Sequence, residues 1–170
     1  MTNSPGKQPR FQTRPRGLQR LLLRLPIGLF RFHLGWLLGH RFLLLTHTGR
    51  KSGQARHTVL EVMRYDPATR AYVVVSGFGA QSDWYRNVRQ TPRVKIDSGR
   101  ERLEAQAVEL ARPKAEQEFR HYARRHPQAM TTLARVLNYP WDGSEASYQA
   151  LAQLLPVIIF RPLRQTELRP

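Results

Sequence analysis

The feature that most restricts the fold is a series of six short apolar segments from position 42 onward, most of them joined by turn residues. Several of these segments alternate apolar with polar residues or are rich in β-branched side chains, as strands are. The expected strands are 42–47, 57–65, 71–76, 93–97, 102–107 and 157–160. Turn-forming residues at 66–70 and 97–100 should make hairpins of the strands on either side. The pattern predicts an α+β fold, mainly β, with an antiparallel barrel of about six strands.

Helices are expected beside this barrel, at 84–89, 113–126, 131–137 and 144–154. Ser82 or Asp83 is a suitable N-cap for the first helix, and Pro113 suits the first turn of the second. We therefore assign residues 41–163 to a single barrel domain and expect residues 164–170 to be a frayed tail.

The N-terminal part is basic, and the first acidic residue of the chain is Glu61. Residues 1–16 are rich in Pro, Arg and Gln, which predicts a flexible arm. Residues 17–40 are apolar but interrupted by arginines, so we expect an amphipathic helical segment, kinked at Pro26, and not a membrane span. Arg41 falls on the same helical stripe as these arginines. Two readings remain open: the segment lies on an anionic membrane surface, or it packs across the barrel.

The amino-acid composition excludes some classes of function and favours others. With 28 Lys and Arg against 12 Asp and Glu, the net charge of +16 implies an anionic partner: a phosphate ligand, an acidic lipid or a nucleic acid. Cysteine is absent, which excludes disulfides and thiolate chemistry and fits a cytoplasmic protein. The six histidines lack metal-ligand spacing, so no metal site is expected. The aromatic residues form no stacking platform, which makes nucleic acid an unlikely partner.

The connection between the first two predicted strands carries the chemistry that stands out most. Gly49 and Gly53 allow close approach and positive φ, and successive backbone N–H groups there could form an anion-binding concavity. The side chains that add donors or charge are Thr48, Arg50, Lys51, Ser52 and Arg56. The glycine–lysine spacing is not that of a P-loop. From residue chemistry alone this is either an anion site or an ordinary basic hairpin turn.

Four sequence blocks resemble the deazaflavin-dependent nitroreductase family. They read LLTHTGRKSGQAR at 44–56, VVSGFG at 74–79, DWYRNV at 83–88 and TPRV at 91–94. Their order and spacing match together, and the similarity extends over roughly residues 35–162. The resemblance implies a split β-barrel that binds coenzyme F420, with an FMN-binding split barrel as the alternative.

The resemblance also implies roles for particular residues. Lys51, Arg56 and, less directly, Arg50 would hold the phosphate and acidic tail of F420, beside the hydroxyls of Thr48 and Ser52. Ser76, Gly77, Phe78 and Gly79 would lie along the deazaflavin ring, and Trp84 and Asn87 would contact the cofactor from one helical face. The family often has lysine after the serine, where this chain has Gly77 and Phe78. This departure suggests a more apolar substrate.

The implied reaction is hydride transfer from reduced deazaflavin to a quinone, an enone or a nitroaromatic compound. A proton donor is useful, and Tyr148 is the first candidate, ahead of Tyr139 and Tyr122. Tyr148 could equally pack its ring on the barrel. A different class also remains open, a non-enzymatic basic module that binds membrane or nucleic acid. The sequence leaves the oligomeric state undetermined.

Overall fold

A computed structural model describes residues 39–136 and 139–163 of the chain. Six antiparallel strands close into a barrel in the order β1-β2-β3-β6-β5-β4. Their bounds are Phe42–Thr48 (β1), Ala55–Asp66 (β2), Ala71–Val75 (β3), Arg93–Ser98 (β4), Glu101–Glu109 (β5) and Val157–Pro162 (β6). The predicted mainly β barrel of about six strands is confirmed, and its strands lie within the predicted domain range of 41–163.

Every second side chain along the strands points inward, and these side chains fill the barrel interior. In β1, Leu43, Leu45 and His47 are buried while the residues between them are half-buried, the pattern expected of a strand with one face toward a core. The inner core comes from every strand and includes Leu43, Leu45, Leu60, Val62, Tyr72, Val74, Val94, Ile96, Ala105, Ile158 and Phe160. His47 is thus the polar residue of β1 at an inward position.

A second core lies between the barrel and three helices on its outer face. These are α2 (Arg112–Arg125), α3 (Pro127–Val136) and α4 (Glu145–Leu154). β3 contributes to both cores, because Tyr72 and Val74 face the interior whereas Val73 packs with the helices. A strand that is covered on both faces has apolar residues at successive positions, and this explains why Ala71–Val75 contains no alternating polar residues.

A β-bulge in β2 connects the barrel to the helical layer. The register with β3 shifts between Val62 and Arg64, so Arg64 as well as Met63 lies on the outer side of the barrel, and Arg64 pairs with Val73. Arg64 then reaches Glu118 of α2, donating from Nε to both carboxylate oxygens at 3.1 and 2.9 Å. This half-buried ion pair raises the pKa of Arg64, mainly through the hydrogen bonds to Glu118.

The first helix, α1 (Asp83–Gln90), covers the barrel end at which β1 and β3 finish, and Gly79–Gln81 forms a 3-10 turn before it. Trp84, Tyr85 and Val88 belong to the inner core, so the apolar face of α1 completes the barrel interior. We call this the helix end of the barrel.

The opposite end, where β1 begins, carries a cluster of polar and aromatic side chains that we call the glutamate end. Glu101 accepts hydrogen bonds from the hydroxyls of Tyr72 (3.1 Å) and Tyr65 (3.4 Å) and from Arg70 Nε (3.1 Å). The imidazole of His40 stacks on the ring of Tyr65 with centroids 3.9 Å apart, and its Nδ1 lies 2.9 Å from the Tyr72 hydroxyl. Burial raises the pKa of Tyr72, and the Glu101 carboxylate adds to that effect.

The helical segment predicted at 17–40 lies mostly outside the described residues, as do the arm at 1–16 and the tail at 164–170. Its last two residues were assigned wrongly: Gly39 and His40 form a turn, and Gly39 has a φ of +54° that a helix does not allow. Arg41 directly precedes β1 and is not part of a helix. Its guanidinium lies 3.9 Å from the carboxylate of Glu61. Within the part of the chain described, no helix has the length and apolarity to cross a membrane.

Candidate cofactor site

The loop Gly49–Gln54 between β1 and β2 has a fixed shape that its glycines make possible. Gly49 N–H donates to the carbonyl of Gln54 at 2.8 Å, and the carbonyl of Gly49 accepts from Gly53 N–H at 2.8 Å. A Cβ on Gly49 would come within 3.0 Å of Ser52 Oγ and 3.3 Å of the Gln54 carbonyl oxygen, closer than side chains normally pack. Gly53 has a φ of +67°, which glycine adopts at little cost. Both positions therefore favour glycine, Gly49 because a Cβ would be crowded and Gly53 because of its positive φ.

Three cations lie in or beside this loop, Arg50 and Lys51 within it and Arg56 at the start of β2, and their environments differ. Lys51 and Arg56 are exposed and make no ion pair with any residue that the structure describes. Arg50 is instead held against α1, donating from Nη1 to Asp83 Oδ1 at 3.0 Å and to Asn87 Oδ1 at 3.1 Å. Lys51 and Arg56 thus remain available for an external anion, whereas the charge of Arg50 is partly neutralised by Asp83.

Thr48 and Ser52, whose hydroxyls were predicted as donors, differ in their exposure to solvent. Thr48 ends β1 and is half-buried. Ser52 is exposed, and its Oγ accepts from Gln54 N–H at 3.3 Å, which makes it a turn former within the loop.

Asn87 fixes this loop to the helix end of the barrel. Its Oδ1 accepts from the backbone N–H of Arg50 at 3.0 Å as well as from the guanidinium, and its Nδ2 lies 3.1 Å from His47 Nδ1. Asn87 and His47 are both nearly fully buried, at 4% and 5% exposure. Asn87 was predicted to contact the cofactor; most of its hydrogen-bonding capacity is used by His47 and Arg50.

Trp84 lies on the same buried face of α1 and packs in the inner core, edge-on to Tyr85 at 6.3 Å between ring centroids. The hydroxyl of Tyr85 donates to Glu109 Oε2 at 2.9 Å, and burial raises its pKa. A contact between Trp84 and the cofactor stays a prediction.

The loop Ser76–Ser82 is held by a buried pair of serines. Ser76 is fully buried, and its Oγ lies 2.7 Å from both the Gly79 carbonyl oxygen and Ser82 Oγ. A hydroxyl has one hydrogen, so Ser76 donates to the carbonyl and accepts from Ser82. Ser82 does occupy the N-cap of α1, but its side chain makes no capping hydrogen bond because it is engaged by Ser76. The predicted N-cap position of Ser82 is confirmed, whereas the side-chain hydrogen bond typical of such a cap is absent.

The tip of this loop is open. A Cβ on Gly77 would meet no atom within 4 Å, and Phe78 is 53% exposed, which is unusual for so large an apolar side chain. Gly79 is buried with a φ of +61°, which turns the chain into the 3-10 turn. A flat ligand could therefore lie along this backbone without a side chain in the way at Gly77.

The predicted proton donor lies in the helical layer. Tyr148 is half-buried, its ring packs edge-on against Trp141 at 5.0 Å, and the Arg120 guanidinium is 5.7 Å from the ring centroid. Tyr122 is buried and donates to Glu61 Oε1 at 3.2 Å, while Tyr139 is partly buried in the same layer. These contacts do not bring Tyr148 together with the loop Gly49–Gln54, and its catalytic role stays a prediction.

Sequence reasoning missed two residues of this region, His47 and Asp83. A signal for His47 was present, since it occupies the third inward position of β1 after Leu43 and Leu45. Asp83 was considered only as a cap. Among the described residues, no group of three or more His, Asp and Glu side chains is placed to hold a metal ion.

Several solved structures share this fold, although their sequences are only 10–23% identical to this chain. An F420-H2-dependent reductase (FDR-A) is 23% identical over 72% of this chain and 96% of its own, with a TM-score of 0.51. A putative pyridoxamine 5'-phosphate oxidase from Listeria innocua is 12% identical over 79% and 93%, with a TM-score of 0.50. A related FMN-binding protein from Nostoc punctiforme is 10% identical over 82% and 80%, with a TM-score of 0.52.

Curated proteins give no match to this sequence. The family model for F420H(2)-dependent quinone reductases matches residues 33–135, which is more than half of the chain and includes the loop Gly49–Gln54, the loop Ser76–Ser82 and α1. The chain therefore belongs to the F420H(2)-dependent quinone reductase family and is an oxidoreductase that uses coenzyme F420.

Proposed function

We propose that this F420-dependent reductase passes a hydride to a small electrophilic acceptor, and that a quinone is preferred over an enone or a nitroaromatic compound. The observation that carries the assignment of the site is a pair of exposed, unpaired cations: Lys51 on a loop fixed by glycines and by α1, and Arg56 beside it at the start of β2. The phosphate and acidic tail of F420 match this charge.

The residues of the chain bind and orient, while the hydride comes from the reduced deazaflavin when it is bound. Lys51 and Arg56 hold the anionic part of the cofactor, and the backbone of Ser76–Gly79 lies along its ring. The hydrogen bonds between Ser76, Gly79 and Ser82 keep that backbone rigid, and rigid positioning favours a productive distance between donor and acceptor.

Phe78 supports the preference for a quinone. Its exposed ring stands beside the open space at Gly77, where a flat and largely apolar acceptor would gain contact area. We expect Phe78→Ser to lower kcat/KM for a quinone about tenfold, with the affinity for F420 unchanged. Oxidation of reduced F420 measured across quinones, enones and nitroaromatics tests this; equal losses for all acceptors would argue against a quinone-specific role.

Replacement of both loop cations tests the site itself. Lys51→Ala with Arg56→Ala should weaken F420 binding about 100-fold, since each charge-assisted hydrogen bond contributes roughly 1.5–3 kcal/mol. Because both side chains are exposed, the free energy of unfolding in urea should change little. A matched control removes the same charge elsewhere: Arg124→Ala with Arg125→Ala, at the end of α2. Equal weakening in both double variants would mean that net charge, and not this loop, binds the cofactor.

For Tyr148 we propose proton donation to the reduced acceptor, as its place in α4 and the family resemblance suggested. Tyr148→Phe should then lower turnover without changing F420 affinity. A wild-type rate would leave Tyr148 as a packing residue on Trp141 and Arg120.

For residues 17–40 we propose peripheral attachment of a cytoplasmic enzyme to the inner membrane face. The leucine-rich sequence with interspersed arginines supports this, because such helices lie in anionic interfaces. Flotation with vesicles containing anionic lipid, with and without residues 1–38, is the test. Equal flotation of the two forms would contradict attachment through this segment.

A further inference from the structure

The orientation of the Asn87 amide is determined by its partners. Oδ1 lies 3.0 Å from the backbone nitrogen of Arg50 and 3.1 Å from its guanidinium, and both of these groups can only donate. The oxygen of the amide must therefore face Arg50. Its nitrogen then faces His47 Nδ1 at 3.1 Å.

The state of His47 follows from that orientation. An amide nitrogen donates and does not accept, so His47 Nδ1 must carry no proton. The proton of the neutral imidazole is then on Nε2, which lies 3.3 Å from Thr58 Oγ1 and can donate to it. The chain of hydrogen bonds from Thr58 through His47 and Asn87 to Arg50 has one consistent polarity.

Protonation of His47 breaks this chain of hydrogen bonds. An N–H at Nδ1 would point at the NH2 group of Asn87, placing two donors against each other. Rotation of the amide would not help, because it would turn the NH2 group toward the N–H and guanidinium of Arg50. No orientation of Asn87 serves both a protonated His47 and Arg50.

The charged groups around His47 favour its neutral form overall. Burial lowers the pKa of His47, and the positive charges of His57 and Arg56 on β2 act in the same direction. Asp83 on α1 and a hydrogen bond with the backbone of Thr48 act in the opposite direction. Asp83 is itself paired with Arg50, which reduces its effect on the imidazole.

We propose that His47 is a positioning residue whose neutral imidazole, through Asn87, holds the loop Gly49–Gln54 in the conformation that presents Lys51 to the cofactor, beside Arg56 at the start of β2. The proposal rests on the assignment of that loop as the F420 phosphate site. Protonation of His47 releases Arg50 N–H and loosens the loop, so the affinity for F420 falls at low pH although the net positive charge rises. Simple charge attraction predicts the opposite direction.

The first experiment needs no cofactor. Nitrogen-15 NMR of the labelled histidines of the full chain reports which ring nitrogen of His47 carries the proton, and His47→Asn assigns the signal. We expect the Nε2–H tautomer near neutral pH, together with slow exchange of the Arg50 amide hydrogen that quickens as His47 titrates. A proton on Nδ1 near neutral pH would overturn the proposal.

The second experiment measures F420 affinity by fluorescence between about pH 5 and about pH 7.5. His47→Asn keeps an acceptor oxygen near the position of Nδ1 and removes the titration. The comparison is between variants at each pH, so that any ionisation of the cofactor itself affects all of them equally. Wild type should lose about tenfold more affinity at the acid end than His47→Asn does. His121→Asn, an exposed histidine on α2, is the matched control and should follow wild type.

A third variant should abolish the loss of F420 affinity at low pH. Its result keeps the test valid if one of the other variants fails to fold. Asn87→Asp places a carboxylate oxygen opposite His47 Nδ1, where it favours the protonated imidazole. The acid loss of affinity should disappear in this variant even though its affinity is lower throughout. Parallel pH profiles of wild type, His47→Asn and Asn87→Asp would overturn the proposal. If Lys51→Ala with Arg56→Ala still weakens binding in that case, the cofactor assignment of the loop survives; if it does not, both fall.

Discussion

The two ends of the barrel both contain a histidine, hydrogen-bonded side chains and charged groups, yet they use them differently. At the glutamate end, Glu101 is neutralised within the chain by Arg70 and accepts from two tyrosine hydroxyls. At the helix end, His47, Asn87 and Arg50 fix the backbone, while Lys51 and Arg56 have no ion-pair partner among the described residues. A self-neutralised cluster favours stability, and unpaired cations on a rigid loop and the strand that follows it favour binding.

The two histidines differ in the same way. His40 Nδ1 lies 2.9 Å from the Tyr72 hydroxyl, which donates its hydrogen to Glu101, so His40 can donate there whether neutral or protonated. His47 faces an amide nitrogen and tolerates only the neutral form. The partner of His47 therefore excludes a proton on its Nδ1.

The largest effect that would test this comparison is on stability at the glutamate end. Glu101→Ala removes the partner of Tyr65, Tyr72 and Arg70, and leaving buried donors unpaired should lower the free energy of unfolding by about 3 kcal/mol. Urea unfolding measures this, with Glu101→Gln as the variant that keeps an acceptor. F420 affinity should be unchanged, and a large loss of affinity would show that the two ends are not independent.

A smaller effect is expected from acid acting on His47. Its pKa is lowered in the folded chain, so the unfolded chain binds more protons below its ordinary pKa near 6.5. Linkage then requires the stability contributed by the neutral imidazole to be fully present above about pH 6.5 and to decline as pH falls toward the folded pKa. Urea unfolding of wild type and His47→Asn at several pH values measures the difference. An increase in wild-type stability relative to His47→Asn on acidification would contradict the sign.

The smallest effect is expected for the exposed partner at the glutamate end. Arg70 is half-exposed in its pair with Glu101, so Arg70→Ala should change the free energy of unfolding by no more than about 0.5 kcal/mol. If the change approached that of Glu101→Ala, the ion pair and not the tyrosine hydrogen bonds would hold this cluster.

Strand positions were predictable because alternation and turn residues are local signals. β2 was predicted to start at position 57 and starts at Ala55, and α3 was predicted at 131–137 and spans Pro127–Val136, so the errors lie at the ends of elements. The bulge between Val62 and Arg64 was not predicted, although unbroken alternation from Leu60 and Val62 would have placed Arg64 inside the barrel; pairing with β3 and the contact with Glu118 of α2 set its position. The long sequence separation of those contacts keeps them out of any local pattern.

For the site, the sequence by itself determined which residues could carry charge to an anion and that two glycines would shape the loop that holds them. Only the tertiary structure decided how those residues are divided. Arg50 is joined to Asn87 across 37 positions of sequence and His47 to Asn87 across 40, which leaves Lys51 and Arg56 unpaired. Ser82 takes the predicted N-cap position, and folding also brings Ser76 within 2.7 Å of it, so that its hydroxyl donates to Ser76. The physical reason is that hydrogen bonds are directional and saturable, so a side chain's function depends on which partners the fold brings to it first.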